Sequence, residues 1–486
     1  MATPLPSLCF RRLVAACAFL VAANLPAAAS LPVRPSDNGR YLVDANGQPF
    51  PLLGRSSWFM ANLSLDDIRL YLDDCTARGV NTVEFALIGH DPRGRHVPFN
   101  HAGDVPFLKR LDGKSWDGTL WTAKKKYTDA ATEAPDFTTP NEAYWAALDQ
   151  VFALCAERGF LTLVFPAYVG YAGYTEQGWM KQLEVNGRER MRTYGEWVAR
   201  RYKNQPNIVW MLGGDHGAFN AVQAAAQRGL IEGLIAGGAG GTLKLRSAEW
   251  QSDTIGTDDP DFGQFITLNG AYTFDGYSAH HSRRAYATTP VRPAYYLEGP
   301  YDEEHVDGTN VNPSASQPVR RFQWWGWLGA IGGHVFGNGY VWPFQDEIWK
   351  SHLDTAGARD MAVMNAFIRS IAWHTLVPSG LGGQRELITK AGSQEKARDY
   401  IAAAAALDGS LLVAYSPPER WGAFHVDLGA LRGPARARWF DPTNGEYKDA
   451  GTALPNTGPH PFNIPGKNGS GKNDWVLVIA AAPAES

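Results

Sequence analysis

The sequence has few cysteines and no excess of basic charge. It contains four cysteines, and its 45 lysines and arginines stand against 49 aspartates and glutamates. A chain without positive surplus is a poor partner for nucleic acid or an anionic membrane surface, so neither is expected to bind. Cys75 and Cys155 occupy matching places in two helix-to-strand units. Neighbouring helices pack roughly 10 Å apart and a disulfide needs Cα atoms within about 7 Å, so we predict free, buried thiols.

The N-terminal apolar run is too short to cross a membrane. Residues 13–25 follow Arg11 and Arg12 and precede the small residues Ala27 to Ala29. A transmembrane helix needs about 20 apolar residues, whereas a basic start, a short apolar run and a small-residue cleavage zone are typical of a secretory signal. We therefore predict a signal peptide over residues 1–29, no membrane span, and export to the periplasm or the outside of the cell.

Several catalytic and metal-binding motifs are missing. The sequence contains neither a Gly-x-Ser-x-Gly nucleophile elbow nor a phosphate-binding loop. The His280–His281 pair has no third ligand at a recognisable spacing, so we predict no metal site. The many tryptophans, tyrosines and phenylalanines suit flat apolar surfaces that bind sugar rings, although they suit a core equally well.

The most informative stretch is NIVWMLGGDHG, residues 207–217. Its apolar run lacks alternation, which is typical of a strand covered on both faces, as in a parallel sheet. Gly213 and Gly214 end the strand and place Asp215 at its carboxyl end, the edge where barrel enzymes hold their catalytic groups. The alternative is that Asp215 only caps a following helix.

Apolar strands alternate with amphipathic helices through the first three-quarters of the chain. We predict helices at 65–77, 141–158, 189–202 and 359–373, and strands at 51–54, 80–87, 160–165, 208–212, 243–247, 276–279, 293–297 and 334–336. Eight strands alternating with helices predict an α/β fold, a (β/α)8 TIM barrel over residues 30–382. A long insert, residues 88–140, is expected to cover the carboxyl face. Short apolar runs separated by turn signals then predict an antiparallel β-sandwich over residues 383–486.

Two carboxylates carry the predicted chemistry. The segment YYLEGPYDEE, residues 295–304, repeats the pattern of apolar strand, acid and glycine, so Glu298 ends strand seven as Asp215 ends strand four. Acids there face each other across a barrel mouth, and retaining glycosidases need two carboxyl groups about 5 to 5.5 Å apart. The alternative for Glu298 is an ion pair with Arg283 or Arg292.

Several segments resemble the apiosidase-like glycoside hydrolases, family 140 and its relatives. They are residues 78–84, 194–216, 297–304 and 324–344, and residues 436–447 resemble the group's C-terminal domain, labelled a collagen-binding module. The resemblance implies a (β/α)8 barrel, retaining hydrolysis with Asp215 as acid/base and Glu298 as nucleophile, and no metal or organic cofactor. The chain departs from the group at Arg55, where relatives commonly have an acid, and at Glu84, where they often have Gln. Arg55 is expected to alter the charge near a sugar subsite.

Further residues at strand ends and loops are candidates for contacting substrate. Aromatic candidates either stack on sugar or pack the rim, and His334 either contacts substrate or bridges strands in the core. The predicted substrate-binding residues are Trp58, Glu84, Tyr168, His216, Trp250, His280, His334, Asn338 and Trp342.

The sequence predicts an exported retaining glycosidase that acts on a plant or bacterial polysaccharide or oligosaccharide. Two alternatives remain open: an endo-acting glucanase on the same barrel, and a carbohydrate-binding protein that does not catalyse.

Overall fold

A computed structural model describes residues 30–89, 91, 93–118, 134–170, 177–241, 244–274, 277–304, 316–344, 346–394 and 398–481. The predicted signal peptide and residues 119–133 of the insert lie outside this part of the chain. In the described residues, no helix combines the length and the apolar character that crossing a bilayer requires.

Eight parallel strands form the first domain, as predicted. They are β1 Leu52–Ser56, β2 Thr82–Ala86, β3 Leu161–Phe165, β4 Ile208–Gly213, β5 Arg246–Glu249, β6 Asn269–Tyr272, β7 Ala294–Glu298 and β8 Ile331–Phe336. The sheet runs β5-β4-β3-β2-β1-β8-β7-β6, and Thr254–Ile255 pairs antiparallel with β6 as a ninth, short strand. Backbone hydrogen bonds from Thr267 and Leu268 to the carbonyl of Arg246 bring β5 and β6 together. The result is a nearly closed barrel.

Helices connect the strands and bury the outer barrel face. They are α1 Leu65–Ala77, α2 Glu142–Glu157, α3 Met180–Arg201, α4 Ala221–Leu234, α5 Ser278–Ala287, α6 Ser316–Ala330 and α7 Ala356–Ser370. Helix α1 begins where the sequence predicts, because the Ser64 side chain accepts a hydrogen bond from the backbone of Asp67. Cys75 on α1 and Cys155 on α2 are free and buried, which confirms the predicted thiols.

The predicted sixth strand is misplaced. We predicted residues 276–279, whereas the strand is Asn269–Tyr272 and helix α5 begins at Ser278; Gly276 lies outside the described residues. The sequence NGAY has few apolar side chains, so it gives little strand signal. Asn269 is nevertheless fully buried, because its amide donates to the Thr257 and Thr288 hydroxyls.

The described part of the insert packs beside the barrel and reaches the loop after β8. Phe107 and Phe137 lie in contact at 4.4 Å between ring centroids, and Phe137 packs edge-on against Trp179 and Tyr194. The Arg95 backbone donates to the carbonyl of Pro343, 3.0 Å away, beyond the carboxyl end of β8. The insert therefore contacts the edge of the barrel where the candidate acids lie.

Antiparallel sheets form the C-terminal part of the chain, as predicted. Their strands are β9 Leu376–Pro378, β10 Ile388–Thr389, β11 Ala402–Ala406, β12 Leu411–Ser416, β13 Ala423–Asp427, β14 Ala435–Phe440, β15 Tyr447–Leu454, β16 Pro459–Asn463 and β17 Trp475–Ala481. One sheet runs β9-β11-β12-β17-β14-β15 and the other β10-β13-β16.

The larger C-terminal sheet packs on barrel helices through an apolar core and a buried ion network. The guanidinium of Arg320 on α6 bonds both carboxylate oxygens of Asp474 at 2.7 and 2.8 Å, and Asp360 on α7 at 2.5 Å. Arg320 and Asp474 are both fully buried. The larger sheet is therefore held on helices α6 and α7 by charge as well as by apolar contact.

Candidate active site

Close backbone packing at the end of β4 explains its two glycines. Gly213, Gly214 and Asp215 have φ angles of 76°, 127° and 44°. A Cβ on Gly213 would lie 2.4 Å from the carbonyl oxygen of Glu249, and one on Gly214 would lie 2.4 Å from the Tyr168 ring. Side chains at these positions would therefore clash as well as disfavour the left-handed backbone. The turn delivers Asp215 to the mouth of the barrel.

Asp215 is bound by a tyrosine and does not cap a helix. The Tyr272 hydroxyl donates to Oδ1 of Asp215 at 3.0 Å. Helix α4 is capped instead by Asn220, which forms a capping box with Gln223. Burial and then the charge of Glu298 raise the pKa of Asp215 to about 8, while the Tyr272 hydrogen bond opposes the rise. The raised pKa favours the protonated form of Asp215, which is the form that a proton donor needs.

Glu298 ends β7, and its backbone lies beside Tyr272 in the β6–β7 register. Glu298 is 6 % exposed, and the side chains of Tyr301 and Glu249 lie near its carboxyl group. The two arginines considered as partners bond elsewhere: Arg283 donates to the carbonyl of Ser379, and Arg292 to those of Ile266 and Pro290. Neither of these two arginines therefore pairs with the buried glutamate.

Two further buried acids complete a cluster of four at the strand ends. Glu84 on β2 accepts a hydrogen bond from Ser56 Oγ at 3.1 Å, and burial raises its pKa to about 8. Glu249 on β5 is 1 % exposed, and burial, followed by the charge of Glu298, raises its pKa well above the ordinary range. Burial and then the charge of Glu84 also raise the pKa of Glu298. In the described part of the chain, no salt bridge involves any of the four.

Sequence reasoning missed three residues of this site: Glu249, Tyr272 and Tyr301. The predicted fifth strand ended at Ser247, so Trp250 was taken as its terminal side chain, whereas β5 runs to Glu249. At β4 and β7 an apolar run is followed by an acid. Extending the predicted fifth strand by two residues gives the same pattern and identifies Glu249. Tyr272 lay outside the predicted sixth strand. Tyr301 belongs to the segment 297–304 that resembles the family, but no other feature of the sequence indicated that it was a site residue.

The four predicted aromatics differ in what they contact. Trp58 donates from Nε1 to the Tyr301 hydroxyl at 2.9 Å. Trp58 therefore contacts Tyr301, a neighbour of Glu298. Tyr168 packs edge-on against Trp58 and lies over Gly214. Trp250 donates to the carbonyl of Gly256 at 2.9 Å. These three are less than 10 % exposed, whereas Trp342 is half-buried. Trp342 is therefore the most accessible of the predicted stacking surfaces.

Two of the predicted histidines stay candidates for contacting substrate. His216 is half-buried beside Phe219, 5.0 Å between ring centroids, and burial lowers its pKa. It follows Asp215 directly, as the sequence predicts. His280 is also half-buried, but it lies in helix α5 rather than after a strand. His216 therefore has the stronger connection to the acid cluster.

His334 and Asn338 are used inside the fold, so predicting substrate contact for them is wrong. His334 is fully buried; its Nδ1 lies 2.8 Å from Gln323 on α6 and its Nε2 lies 3.0 Å from Asn365 on α7. The side chain therefore faces the helices, as the core alternative held. Asn338 is 1 % exposed; its amide nitrogen donates to Glu303 and its oxygen accepts from the backbone of Tyr340. It shapes the loop after β8.

Arg55 does not alter the charge of the site, contrary to expectation. Its side chain is fully buried on the outer side of β1, where it bonds Asp74 of α1 at 2.7 Å. The next residue, Ser56, faces the barrel interior and binds Glu84. Alternation along the strand places consecutive side chains on opposite faces, which is why the arginine lies away from the acids.

Comparisons with known proteins place the chain in a family. Residues 36–375 match the family model "Apiosidase-like, catalytic domain", and residues 384–480 match "Putative collagen-binding domain of a collagenase". A solved structure described as a glycoside hydrolase is 18 % identical, with a TM-score of 0.70 over 94 % of this chain and 98 % of that one. A glycoside hydrolase family 5 from Bacteroides vulgatus ATCC 8482 is 19 % identical, with a TM-score of 0.68 over 92 % and 93 %.

At these identities the likeness to solved structures shows the fold. No curated protein sequence matches the chain significantly. The first family model, however, covers well over half of the chain, including all eight barrel strands and the four acids. This protein therefore belongs to the Apiosidase-like family and has a glycoside hydrolase fold.

Proposed function

We propose that this protein is an exported retaining glycoside hydrolase that cleaves a glycosidic bond in a plant or bacterial polysaccharide or its fragments. The observation that carries the proposal is the pairing of Asp215 and Glu298 at the ends of β4 and β7. The charge of Glu298 contributes to the raised pKa of Asp215, which supports the two carboxyl groups being near each other at the mouth. A proton donor opposite a carboxylate is the arrangement that retaining hydrolysis uses.

The proposed reaction has two steps. Glu298 attacks the anomeric carbon while the Asp215 carboxyl gives its proton to the departing oxygen, which leaves a glycosyl ester on Glu298. Asp215, now a carboxylate, then removes a proton from a water that attacks the same carbon, and Glu298 is released. Burial raises the pKa of Glu298, and the Tyr301 hydroxyl opposes that rise and so favours the ionised form that the first step requires.

The test is product profiling on pectic, arabinan, glucan and bacterial exopolysaccharide substrates. The wild-type protein is expected to release sugars from at least one of them. Asp215→Asn and Glu298→Gln are expected to lose at least about 1,000-fold in turnover, because each removes a reacting group. Glu347→Gln, on an exposed side chain paired with Arg95 and Lys350, is the matched control and keeps wild-type turnover.

Two results would contradict the proposal. Turnover within tenfold of wild type in either acid variant would remove its assigned role. Glycan binding without any released sugar across the whole panel would instead indicate a carbohydrate-binding protein. The chain lengths of the products distinguish removal of terminal sugars from cleavage within the chain.

Export is the second part of the proposal, and residues 1–29 support it. When the full gene is expressed in a Gram-negative host, the mature N-terminus is expected near residue 30, in the periplasm or the medium. An intact N-terminus in the cytoplasmic fraction would contradict export.

A further inference from the structure

Trp421, in the turn between β12 and β13 of the C-terminal domain, is the most exposed large apolar side chain in the described part of the protein. It is 77 % exposed, and the next, Leu407, is 61 % exposed. Within the same residues, no other aromatic ring packs on the indole and no cation lies over it. Trp421 therefore adds nothing to the core, and the faces of its ring are open to a ligand.

The turn that carries Trp421 is fixed by hydrogen bonds on the residue before it. The carbonyl of Arg420 accepts a hydrogen bond from the Asn473 side chain at 3.0 Å. The Arg420 guanidinium donates to Asp399 at 3.2 Å and to the carbonyl of Lys390 at 2.8 Å. Because the backbone is already ordered, a ligand that stacks on the indole does not have to order the turn.

The same turn is bonded to the barrel, near the end where the acids lie. Glu419 accepts a hydrogen bond from the guanidinium of Arg321 on α6 at 2.7 Å. The hydroxyl of Ser278, the first residue of α5, donates to the carbonyl of Phe322 at 2.9 Å, so this part of α6 lies level with the start of α5. Barrel helices begin at the edge where the strands have their carboxyl ends. The turn with Trp421 therefore lies on the outside of the barrel, towards its catalytic end.

The other exposed apolar side chains of this domain do not extend Trp421 into a patch. Leu407 lies in the hairpin between β11 and β12, at the opposite end of β12, and the six residues of that strand span roughly 20 Å. The ring of Tyr447 is covered by the guanidinium of Arg438, 4.1 Å from its centroid. A stable protein interface buries about 800 Å² on each partner around an apolar centre. A single indole does not supply that centre.

A sugar ring fits a single exposed indole better than a protein surface does. The faces of a sugar ring carry C–H groups that pack on a flat aromatic side chain, and its edge carries hydroxyls that need hydrogen-bonding partners. Glu419 and Lys390 are exposed on the turn or bonded to it, so polar groups accompany the ring. The surroundings of Trp421 thus combine one flat apolar face with groups that can bind hydroxyls.

We propose that Trp421 is a glycan-binding surface outside the catalytic mouth, on which one sugar of a polysaccharide stacks. The C-terminal domain then holds the polysaccharide chain beside the end of the barrel where Asp215 and Glu298 lie. The inference takes its class of ligand, a polysaccharide, from the proposed function. It gives Trp421 a role in binding and none in the chemical steps.

Electrophoresis in gels that contain each polysaccharide of the panel measures this binding. The Asp215→Asn background is used throughout, so that the polysaccharide stays intact. We expect at least one polysaccharide to retard the protein and Trp421→Ala to raise its Kd by about 5- to 50-fold, the range for truncating a central aromatic contact. Trp421→Phe keeps a smaller flat face and should raise the Kd by less. Leu407→Ala, which removes a comparably exposed apolar side chain at the far end of β12, is the matched control and should leave the Kd unchanged.

Three results would overturn the inference. They are the absence of retardation by any polysaccharide of the panel, a Kd that is equal in Trp421→Ala and its background, and an equal loss in Leu407→Ala. Light scattering tests a second copy of the chain as the occupant: a dimer that Trp421→Ala dissociates would also overturn the inference.

The binding assay and the turnover assay fail separately. Binding that depends on Trp421, without sugar released by the wild-type protein, keeps this inference and contradicts the proposed hydrolase. Released sugar together with binding that does not depend on Trp421 contradicts this inference alone.

Discussion

Glu84→Gln should stabilise the protein, and the gain should grow with pH. Glu84 is fully buried with one hydrogen-bond donor, from Ser56, and its pKa rises from 4.5 to about 8. A carboxyl group with a raised pKa in the folded state adds stability that is fully present below the unfolded pKa and lost as pH rises through the folded one. At about 1.4 kcal/mol per pKa unit, the wild-type protein loses about 2 kcal/mol of unfolding free energy at pH 6 and about 4 kcal/mol at pH 8, relative to low pH.

The assay is urea unfolding of wild type and variant at pH 5, 6, 7 and 8. The free energy of unfolding of Glu84→Gln should exceed that of wild type by an amount that increases by about 2 kcal/mol between pH 6 and pH 8. Glu446→Gln, at an exposed position, controls for the general loss of one negative charge. A constant difference between Glu84→Gln and wild type across the pH range would refute the reasoning, since it would mean that Glu84 ionises equally well in both states.

Three further predictions concern the site and its support. Tyr272→Phe removes the donor to Asp215, so the basic limb of the kcat/KM profile should move to higher pH; an unchanged limb would show that this hydrogen bond does not control the acid. Gly214→Ala should lower kcat at least tenfold, because its Cβ would meet the Tyr168 ring, whereas Gly103→Ala, with open space around it, should not; equal kcat values would contradict this. Arg320→Met should cost about 3 to 5 kcal/mol of unfolding free energy by leaving Asp360 and Asp474 unpaired. Arg359→Met, which breaks an exposed pair with Asp354, should cost at most about 1 kcal/mol, and equal losses would argue against the buried network.

The barrel and the acids of β4 and β7 could be predicted because each has a strong local signal. An unbroken apolar run that ends in a glycine, an acid or both predicts a strand buried on both faces. The end of the run also identifies the residue at the carboxyl end of that strand. The same rule failed at β6, where Asn269 and Gly270 replace the apolar run and the buried amide donates hydrogen bonds to the hydroxyls of Thr257 and Thr288. At β5 we predicted the end of the strand two residues too early. We therefore took Trp250, rather than Glu249, as the residue that the strand places at the site.

The direction of a side chain from a doubly buried strand could not be predicted. His334 and Arg55 both stand on barrel strands near the site, yet each points outward to helices, where Gln323 and Asn365 bind the histidine and Asp74 binds the arginine. When both faces of a strand are apolar, the sequence lacks the polar alternation that would separate inside from outside. Partners far away in the chain decide the direction.

Covalent trapping tests the central claim most directly. An activated 2-deoxy-2-fluoro derivative of the sugar identified in the polysaccharide panel is incubated with the enzyme, and the digested protein is mapped by mass spectrometry. A slow second step leaves the glycosyl ester on the nucleophile. The account predicts one added sugar, on the peptide containing Glu298, and none in Glu298→Gln. Labelling at Glu249 or Glu84, or an unlabelled enzyme that releases product of inverted anomeric configuration, would contradict it.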